Sequence, residues 1–237
     1  MCGRYSMKTD YRKLAKRFDA EPPEDGQVSL YNISPTQAVP VILNTNPRRI
    51  ELARWGVVPG WDKTGKKTII NARKGGLVKP TFSKSFNERR CLVLADAFYE
   101  WLSVPGQRAK RPFRFLLKSE GPFAFAGMWQ ESEAGEKPRC VIITTEPNRT
   151  AGMVHDRMPA MLLPEAESEW LDLDTTPEQA LGLLRPYPDG LMKAYEISTL
   201  VNTPGRETPD IIRPVAAGKG GASSFSRSSP RSARRTR

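Results

Sequence analysis

The sequence has 237 residues, 38% of them hydrophobic, which is enough to bury the core of one sizeable domain, with or without a tail. No apolar run approaches the roughly 20 residues that a membrane-spanning helix needs, and MCGRYSMKTD lacks the apolar stretch of a secretory signal, so we expect a soluble intracellular protein. Its 37 Lys and Arg residues against 26 Asp and Glu give a net charge of +11, which favours a polyanionic partner, nucleic acid above all.

The predicted elements begin with a short helix at Tyr11–Asp19, where Leu14, Ala15 and Phe18 share one face. A strand-rich middle follows, in which short β-branched and aromatic runs are separated by Pro, Gly and Asn. The predicted strands are Ala38–Leu43, Ile50–Val58, Cys91–Ala95, Phe113–Lys118, Phe123–Met128 and Arg139–Thr145. Two helices with acidic first turns are predicted at Glu165–Leu171 and Pro177–Leu184, and a last strand at Leu191–Ser198.

This order of elements lacks a βαβα alternation, so the predicted fold class is α+β. We expect a single domain over residues 1–214, built on a curved, barrel-like antiparallel sheet with peripheral helices. Residues 215–237 are rich in Gly, Ser and Arg, and six basic residues there face no acid. Such a composition predicts a disordered basic tail, which either binds nucleic acid by charge or has no role.

Cysteine and histidine usage limits the available chemistry. Three cysteines without regular spacing argue against a disulfide framework, and no cluster suggests zinc, so we expect neither a metal nor another cofactor. Cys91 and Cys140 lie in apolar strands and are predicted to be core residues. His155 is the only histidine, so any mechanism that uses an imidazole must use this one.

Cys2 is the residue with the most distinctive chemistry. Because cysteine is small, removal of Met1 would leave Cys2 at the start of the mature chain with an α-amine of pKa roughly 7.7–8.0 beside a thiol. An amine adds to an aldehyde to give an imine, and a thiol one carbon away can close on the imine carbon as a thiazolidine ring. The ring-opened sugar of an abasic site is the common aldehyde of DNA, so the pair predicts capture of that lesion.

Several separated motifs carry a family resemblance. MCGRY at the start, NAR at 71–73, RRCL and FYEW within 89–101, and HDRMP at 155–159 occur in the order typical of the SRAP (SOS response-associated peptidase) family. YNISP at 31–35, WGVVPGW at 55–61 and VIITT at 141–145 fit the same family. The chain therefore resembles these abasic-site processing proteins from Cys2 to about Pro214.

The resemblance implies a catalytic set of Cys2, Asn71, Glu100 and His155. Cys2 would form the crosslink, and the Asn71 amide would hold its amine or the sugar oxygen. Glu100, with a pKa raised by partial burial, would move protons during imine formation. His155 would donate to the sugar hydroxyl during ring opening and assist reversal.

The expected DNA contacts lie near these residues. Three arginines adjoin them in the sequence and are predicted to hold phosphates: Arg4, Arg73 and Arg157. Trp61 and Trp101 are predicted to stack on exposed bases of single-stranded DNA, while Trp55 is expected in the core. Thr144 or Thr145 is a further candidate for a contact with the DNA backbone.

Two departures from the family pattern are visible. Lys74, Gly75 and Gly76 follow NAR where the family has a polar residue and Glu, which predicts weaker support for Arg73. Leu94 and Ala97 stand where the family has Pro and Gly. The four reactive positions are intact.

The leading hypothesis is a monomeric enzyme that crosslinks to abasic sites in single-stranded DNA, with self-reversal and β-lyase character. It would act in the cytoplasm, on the nucleoid of a bacterium, or in the nucleus of a eukaryote. One alternative is a cysteine peptidase, above all an autopeptidase that releases Met1 through Cys2 and His155. The other is a non-covalent single-stranded DNA-binding module.

Overall fold

A computed structural model describes residues 2–23, 30–45 and 48–215, in which twelve strands and five α-helices are formed. The predicted tail lies almost wholly outside these ranges. The strands are β1 Tyr5–Met7, β2 Leu30–Ile33, β3 Ala38–Leu43, β4 Ile50–Trp55, β5 Asn71–Arg73, β6 Arg90–Ala95, β7 Ala97–Leu102, β8 Arg111–Leu117, β9 Phe123–Gln130, β10 Arg139–Thr145, β11 Met158–Pro159 and β12 Met192–Glu196. The helices are α1 Tyr11–Phe18, α2 Ser83–Glu88, α3 Arg149–Gly152, α4 Glu167–Leu171 and α5 Pro177–Leu183.

Five strands close into a barrel. The ring runs β10–β4–β3–β6–β9 and returns from β9 to β10, which confirms the α+β class and the barrel-like sheet. One pair in the ring, β4 with β10, is parallel, so the sheet is not wholly antiparallel as predicted. A closed ring leaves few free strand edges.

A second sheet packs beside the barrel. It contains β1, which follows Cys2, and β7, which contains Glu100. Its five strands have the order β12–β8–β7–β1–β2 and are all antiparallel. Tyr5 of β1 joins the barrel core, where its ring meets those of Trp55 and Phe125 edge to face, with centroids 5.2 and 5.6 Å away. The start of the chain is thereby anchored in the barrel core.

One edge of β10 is shared by two short parallel partners. β4 pairs at Arg139 and Cys140, and β5 pairs further along at Ile142–Thr144. Between them the chain leaves the ring at Gly56, whose φ of 129° suits glycine, and a Cβ there would lie 2.2 Å from Thr68 Cγ2. β11 pairs with the same strand at Thr144 and Thr145. The NAR and HDRMP motifs therefore both pair with the VIITT motif on β10.

The helices lie around the barrel. α1 and α5 each end one residue before the predicted limit, whereas α2 and α3 were not predicted from the sequence. Asp10 caps α1 by accepting the amide hydrogens of Arg12 and Lys13. The segment predicted as a helix from Glu165 instead begins with a 3-10 turn, Pro164–Ala166, before α4. Within the described ranges, no helix has the length and apolar character required to cross a membrane.

Candidate functional site

The pairing of β1 with β7 sets Cys2 close to Glu100. Tyr5 lies opposite Phe98, and the amide of Tyr99 donates to the carbonyl of Arg4 at 3.0 Å. Because the strands are antiparallel, residues before Tyr5 run beside those that follow Phe98. The negative charge of Glu100 accordingly acts on the Cys2 thiol.

The Cys2 thiol is fully buried. Burial raises its pKa far above the ordinary value, and the carboxylate of Glu100 raises it further. The sulfur lies 3.8 Å from the carbonyl oxygen of Arg4, within reach of a weak S–H hydrogen bond. Burial therefore favours the neutral thiol over the thiolate.

Asn71 fixes the backbone of Cys2. Its Nδ2 donates to the Cys2 carbonyl oxygen at 2.8 Å, and its place on β5 is set by pairing with Ile142 of β10. Its buried Oδ1 accepts no hydrogen bond from the described residues, so it can accept one from an amine. The amide thus orients the cysteine main chain through Nδ2, and the predicted contact with the amine or the sugar stays a prediction for Oδ1.

Glu100 is only 4% exposed on β7. Burial raises the pKa of its carboxyl above the ordinary value, and the nearby charge of His155 opposes that shift. A carboxyl with a raised pKa holds its proton closer to neutral pH and can both give and take it. Glu100 thus lies within electrostatic reach of both Cys2 and His155.

His155 is half-buried at the start of the HDRMP segment. Its Nδ1 lies 3.1 Å from the amide nitrogen of Arg157 and 2.8 Å from the Asp156 carboxylate. The neutral ring accepts the Arg157 amide hydrogen and carries its own proton on Nε2, whereas the imidazolium would donate from Nδ1 to Asp156. In the neutral form the ring proton therefore lies on Nε2.

Thr144 holds the Arg157 side chain instead of facing solvent. It is fully buried, its hydroxyl lies 3.4 Å from the Ala72 carbonyl, and Arg157 Nη2 donates to both its hydroxyl and its carbonyl. This burial replaces the predicted DNA contact of Thr144 by a positioning role. Arg73, exposed on β5, lies close enough to lower the pKa of Arg157, after the larger effect of burial.

The departure after NAR forms a 3-10 turn at Lys74–Gly76, and Lys74 Nζ donates to the Leu184 carbonyl at 2.7 Å. Glu146 stands near this turn. A hydrogen bond from Thr145 lowers the pKa of Glu146, with smaller effects from the charges of Lys74 and Arg157. The Glu146 carboxylate thus lies near Arg157, although the glutamate that follows NAR in the family is missing from this sequence.

Arg4 has structural partners. Its Nη1 donates to Asn32 Oδ1 at 2.8 Å and to the Val201 carbonyl at 2.6 Å. Trp101 is likewise held, because its Nε1 donates to Asn202 Oδ1 at 2.7 Å. Asn32 and Asn202 were missed at the sequence level, although Asn32 stands in the YNISP motif.

Arg4 and Trp101 still line a cavity next to the reactive residue. The cavity measures about 430 Å³ and also includes Gly3, Lys110 and Asn202. Its mixture of an aromatic face and cationic groups suits a nucleotide.

Trp61 lies in a different cavity. Its side chain is 58% exposed, and the Lys67 ammonium stands 4.7 Å from a ring centroid. The cavity measures about 600 Å³ and shares no lining residue with the one beside Cys2. Trp55, by contrast, is fully buried in the core, as are Cys91 and Cys140, which confirms those three predictions.

The comparisons with known proteins agree with the motifs. The sequence model of the SOS response associated peptidase (SRAP) family matches residues 1–204. The chain is 39% identical to the abasic site processing protein YoqW of Bacillus subtilis over 223 residues, which cover 90% of this chain and 99% of that one. It is 30% identical to the abasic site processing protein HMCES of Mus musculus over 275 residues, covering 91% and 76%.

The fold of this chain resembles that of a solved structure. The crystal structure of a protein from Bacteroides thetaiotaomicron superposes with a TM-score of 0.80 at 24% identity, covering 90% of this chain and all of that one. At this identity the similarity concerns the fold alone.

Proposed function

The chain belongs to the SOS response associated peptidase (SRAP) family, and on that premise we propose that it captures abasic sites of DNA covalently through Cys2. Processing of abasic sites is the activity that the names of its relatives share, at 28–39% identity. The observation that most supports the covalent step is the Asn71 bond to the Cys2 carbonyl, which fixes the residue that bears both nucleophiles.

The proposed reaction begins after Met1 has been removed. The Cys2 amine adds to C1 of the ring-opened sugar, and the resulting carbinolamine loses water to form an imine. The thiol sulfur then bonds to the carbon of the protonated imine, and its proton passes to the base that has just protonated the departing hydroxyl, which closes the thiazolidine. One molecule of water is released overall, and no oxidant or metal is required.

Glu100 is the proposed proton carrier. Its raised pKa lets it protonate the departing hydroxyl of the carbinolamine and afterwards accept the thiol proton. His155 donates from Nε2 to the sugar ring oxygen, which assists opening to the aldehyde. The reverse sequence returns the aldehyde and the free cysteine.

The DNA is proposed to be single-stranded and the protein a monomer. Exposed Arg73 and half-buried Arg157 supply phosphate contacts beside the site, and Trp61 supplies an exposed face for stacking. Arg4 and Trp101 line the adjoining cavity, where a flanking nucleotide fits.

Two further activities belong to the same site. The imine acidifies the neighbouring sugar C–H, so elimination of the 3′-phosphate would give lyase activity. Release of Met1 by an autopeptidase would need an activated Cys2, and the raised pKa of the buried thiol weighs against bulk proteolysis. We therefore rank capture above peptidase activity.

A denaturing gel with an abasic oligonucleotide tests the proposal. The wild type should give a heat-stable shifted band without a reductant, whereas Cys2→Ala and Cys2→Ser, which keep the α-amine and lose the thiol, should give a band only when borohydride traps the imine. Mass spectrometry of each preparation should verify loss of Met1 and place the adduct on residue 2. A stable adduct in Cys2→Ala without a reductant, or a wild type that binds without any adduct, would refute covalent capture.

A further inference from the structure

A buried carboxylate outside the reactive set ties the cysteine strand to the glutamate strand. Asp96 lies at the junction of β6 and β7, four residues before Glu100, and is 1% exposed. Its Oδ1 accepts the Ser6 hydroxyl at 2.7 Å and its Oδ2 accepts the Lys8 amide at 2.6 Å. Its own amide donates to the Ser6 carbonyl at 2.9 Å.

These three bonds act together with the packing of Tyr5 in the barrel core, because the ladders of β1 are too short to fix its register alone. The strand has three residues, its ladder with β7 has two paired positions, and its pairing with β2 shifts between Tyr5 and Met7. Slippage of one residue on such a strand would turn the side chains to opposite faces. Asp96 prevents that slippage by holding positions on both sides of Met7.

Arg114 of the second sheet balances the charge of the Asp96 carboxylate. Arg114, which is 4% exposed on β8, places Nη2 3.7 Å from Asp96 Oδ1. Its Nη1 donates to the Tyr195 hydroxyl at 2.7 Å, and that hydroxyl donates to the Ile212 carbonyl at 2.9 Å. A buried carboxylate with such partners is sensitive to the removal of any one of them.

We propose that Asp96, through Ser6 and the Lys8 amide, is a positioning residue that sets the distance between the Cys2 nucleophiles and Glu100. This inference rests on the proposed function. Asp96 would not touch DNA or the reacting atoms, so it should affect the rate of bond formation and leave DNA affinity unchanged.

The test separates rate from affinity. Single-turnover crosslinking at saturating protein gives the limiting rate, and binding to a tetrahydrofuran abasic analogue, which cannot open to an aldehyde, gives the affinity. Ser6→Ala should lower the limiting rate about 10-fold and Asp96→Asn about 100-fold. Affinity for the analogue should stay within about two-fold in both.

Glu167→Gln is the matched control. Glu167 is also a buried carboxylate, 6% exposed, and it binds Arg17 through two hydrogen bonds of 2.8 and 2.9 Å between α4 and α1. The control should lose thermal stability and keep its crosslinking rate. If Asp96→Asn fails to fold, Ser6→Ala decides, because it removes one hydroxyl and leaves the carboxylate paired.

Two results would overturn the inference. One is an unchanged limiting rate in folded Ser6→Ala; the other is equal losses of rate in Ser6→Ala and the Glu167 control. If the wild type itself forms no adduct, the proposed function fails instead, so the two failures are distinguishable.

Discussion

Replacement of Glu100 by glutamine should make the protein slower and more stable at the same time. Glu100 is 4% exposed, and burial raises its pKa, so ionising it in the folded state is unfavourable. Glutamine keeps the shape and removes the charge. The variant should lose the proton carrier of the proposed reaction while relieving the protein of a buried carboxylate.

The magnitudes follow from these two effects. Loss of general acid–base catalysis should slow adduct formation by about 100-fold or more. Relief of the buried charge should raise the free energy of unfolding by about 1 kcal/mol at neutral pH, which corresponds to about 2–4 °C in Tm for a chain of this size.

The sign of the pH dependence is fixed by the direction of the pKa shift. In the unfolded chain Glu100 ionises near its ordinary pKa of about 4.3, and in the folded chain it ionises at higher pH. Its favourable contribution is complete below the unfolded value and disappears as the pH rises through the folded value. The wild type should therefore match the glutamine variant in acid and become less stable than it towards neutral pH.

Thermal melts from pH 4 to 8, with single-turnover crosslinking on the same samples, provide the assay. Glu167→Gln serves as the control, because the pKa of Glu167 is also raised by burial but its carboxylate binds Arg17. That variant should lose stability and keep its rate. A less stable Glu100→Gln at neutral pH, with a gap that persists in acid, would show that the carboxyl group stabilises the fold through its own contacts and would contradict the expected relief of a buried charge.

Four further substitutions test other parts of the site. Asn71→Ala removes the bond to the Cys2 carbonyl and should slow adduct formation about 10-fold on denaturing gels, with binding of the tetrahydrofuran analogue unchanged. Arg157→Ala should weaken analogue binding and lower the slope of log affinity against log salt by about 1, and Thr144→Val should reproduce part of that loss; an unchanged slope would remove Arg157 from the DNA contacts. His155→Ala should slow adduct formation and reversal, measured by chase with unlabelled abasic DNA, and unaltered rates in both directions would exclude it from the reaction.

The predictable part of the fold consists of runs that are apolar throughout. β3 and β10 have the predicted limits because nearly every residue in them is buried, so composition alone marks them. β7 was missed because Asp96 precedes it and Glu100 interrupts its apolar pattern. Asp96 and Glu100, which obscure this strand in the sequence, are also the residues proposed to position the nucleophiles and to transfer protons.

The site was predictable as a set of residues and not as a geometry. Motifs marked Asn71 and Glu100, but their contacts depend on pairings between strands that are distant in the sequence, β5 with β10 and β1 with β7. β1 and β5 have three residues each, too few for a periodicity to appear. The burial of Thr144 likewise follows from β11 and β5 covering the same strand.

Burial of the thiol determines the order of bond formation in the proposed reaction. Because burial raises the pKa of the Cys2 thiol, thiolate is scarce, and we expect the amine to attack first. The imine that results is a stronger electrophile than the aldehyde and can accept a thiol whose proton leaves to a neighbouring base. Glu100 is that neighbour, and it reaches this state after giving up its own proton to the departing hydroxyl. The same burial that suppresses the free thiolate therefore couples ring closure to imine formation, so the sulfur reacts with a bound lesion before other electrophiles.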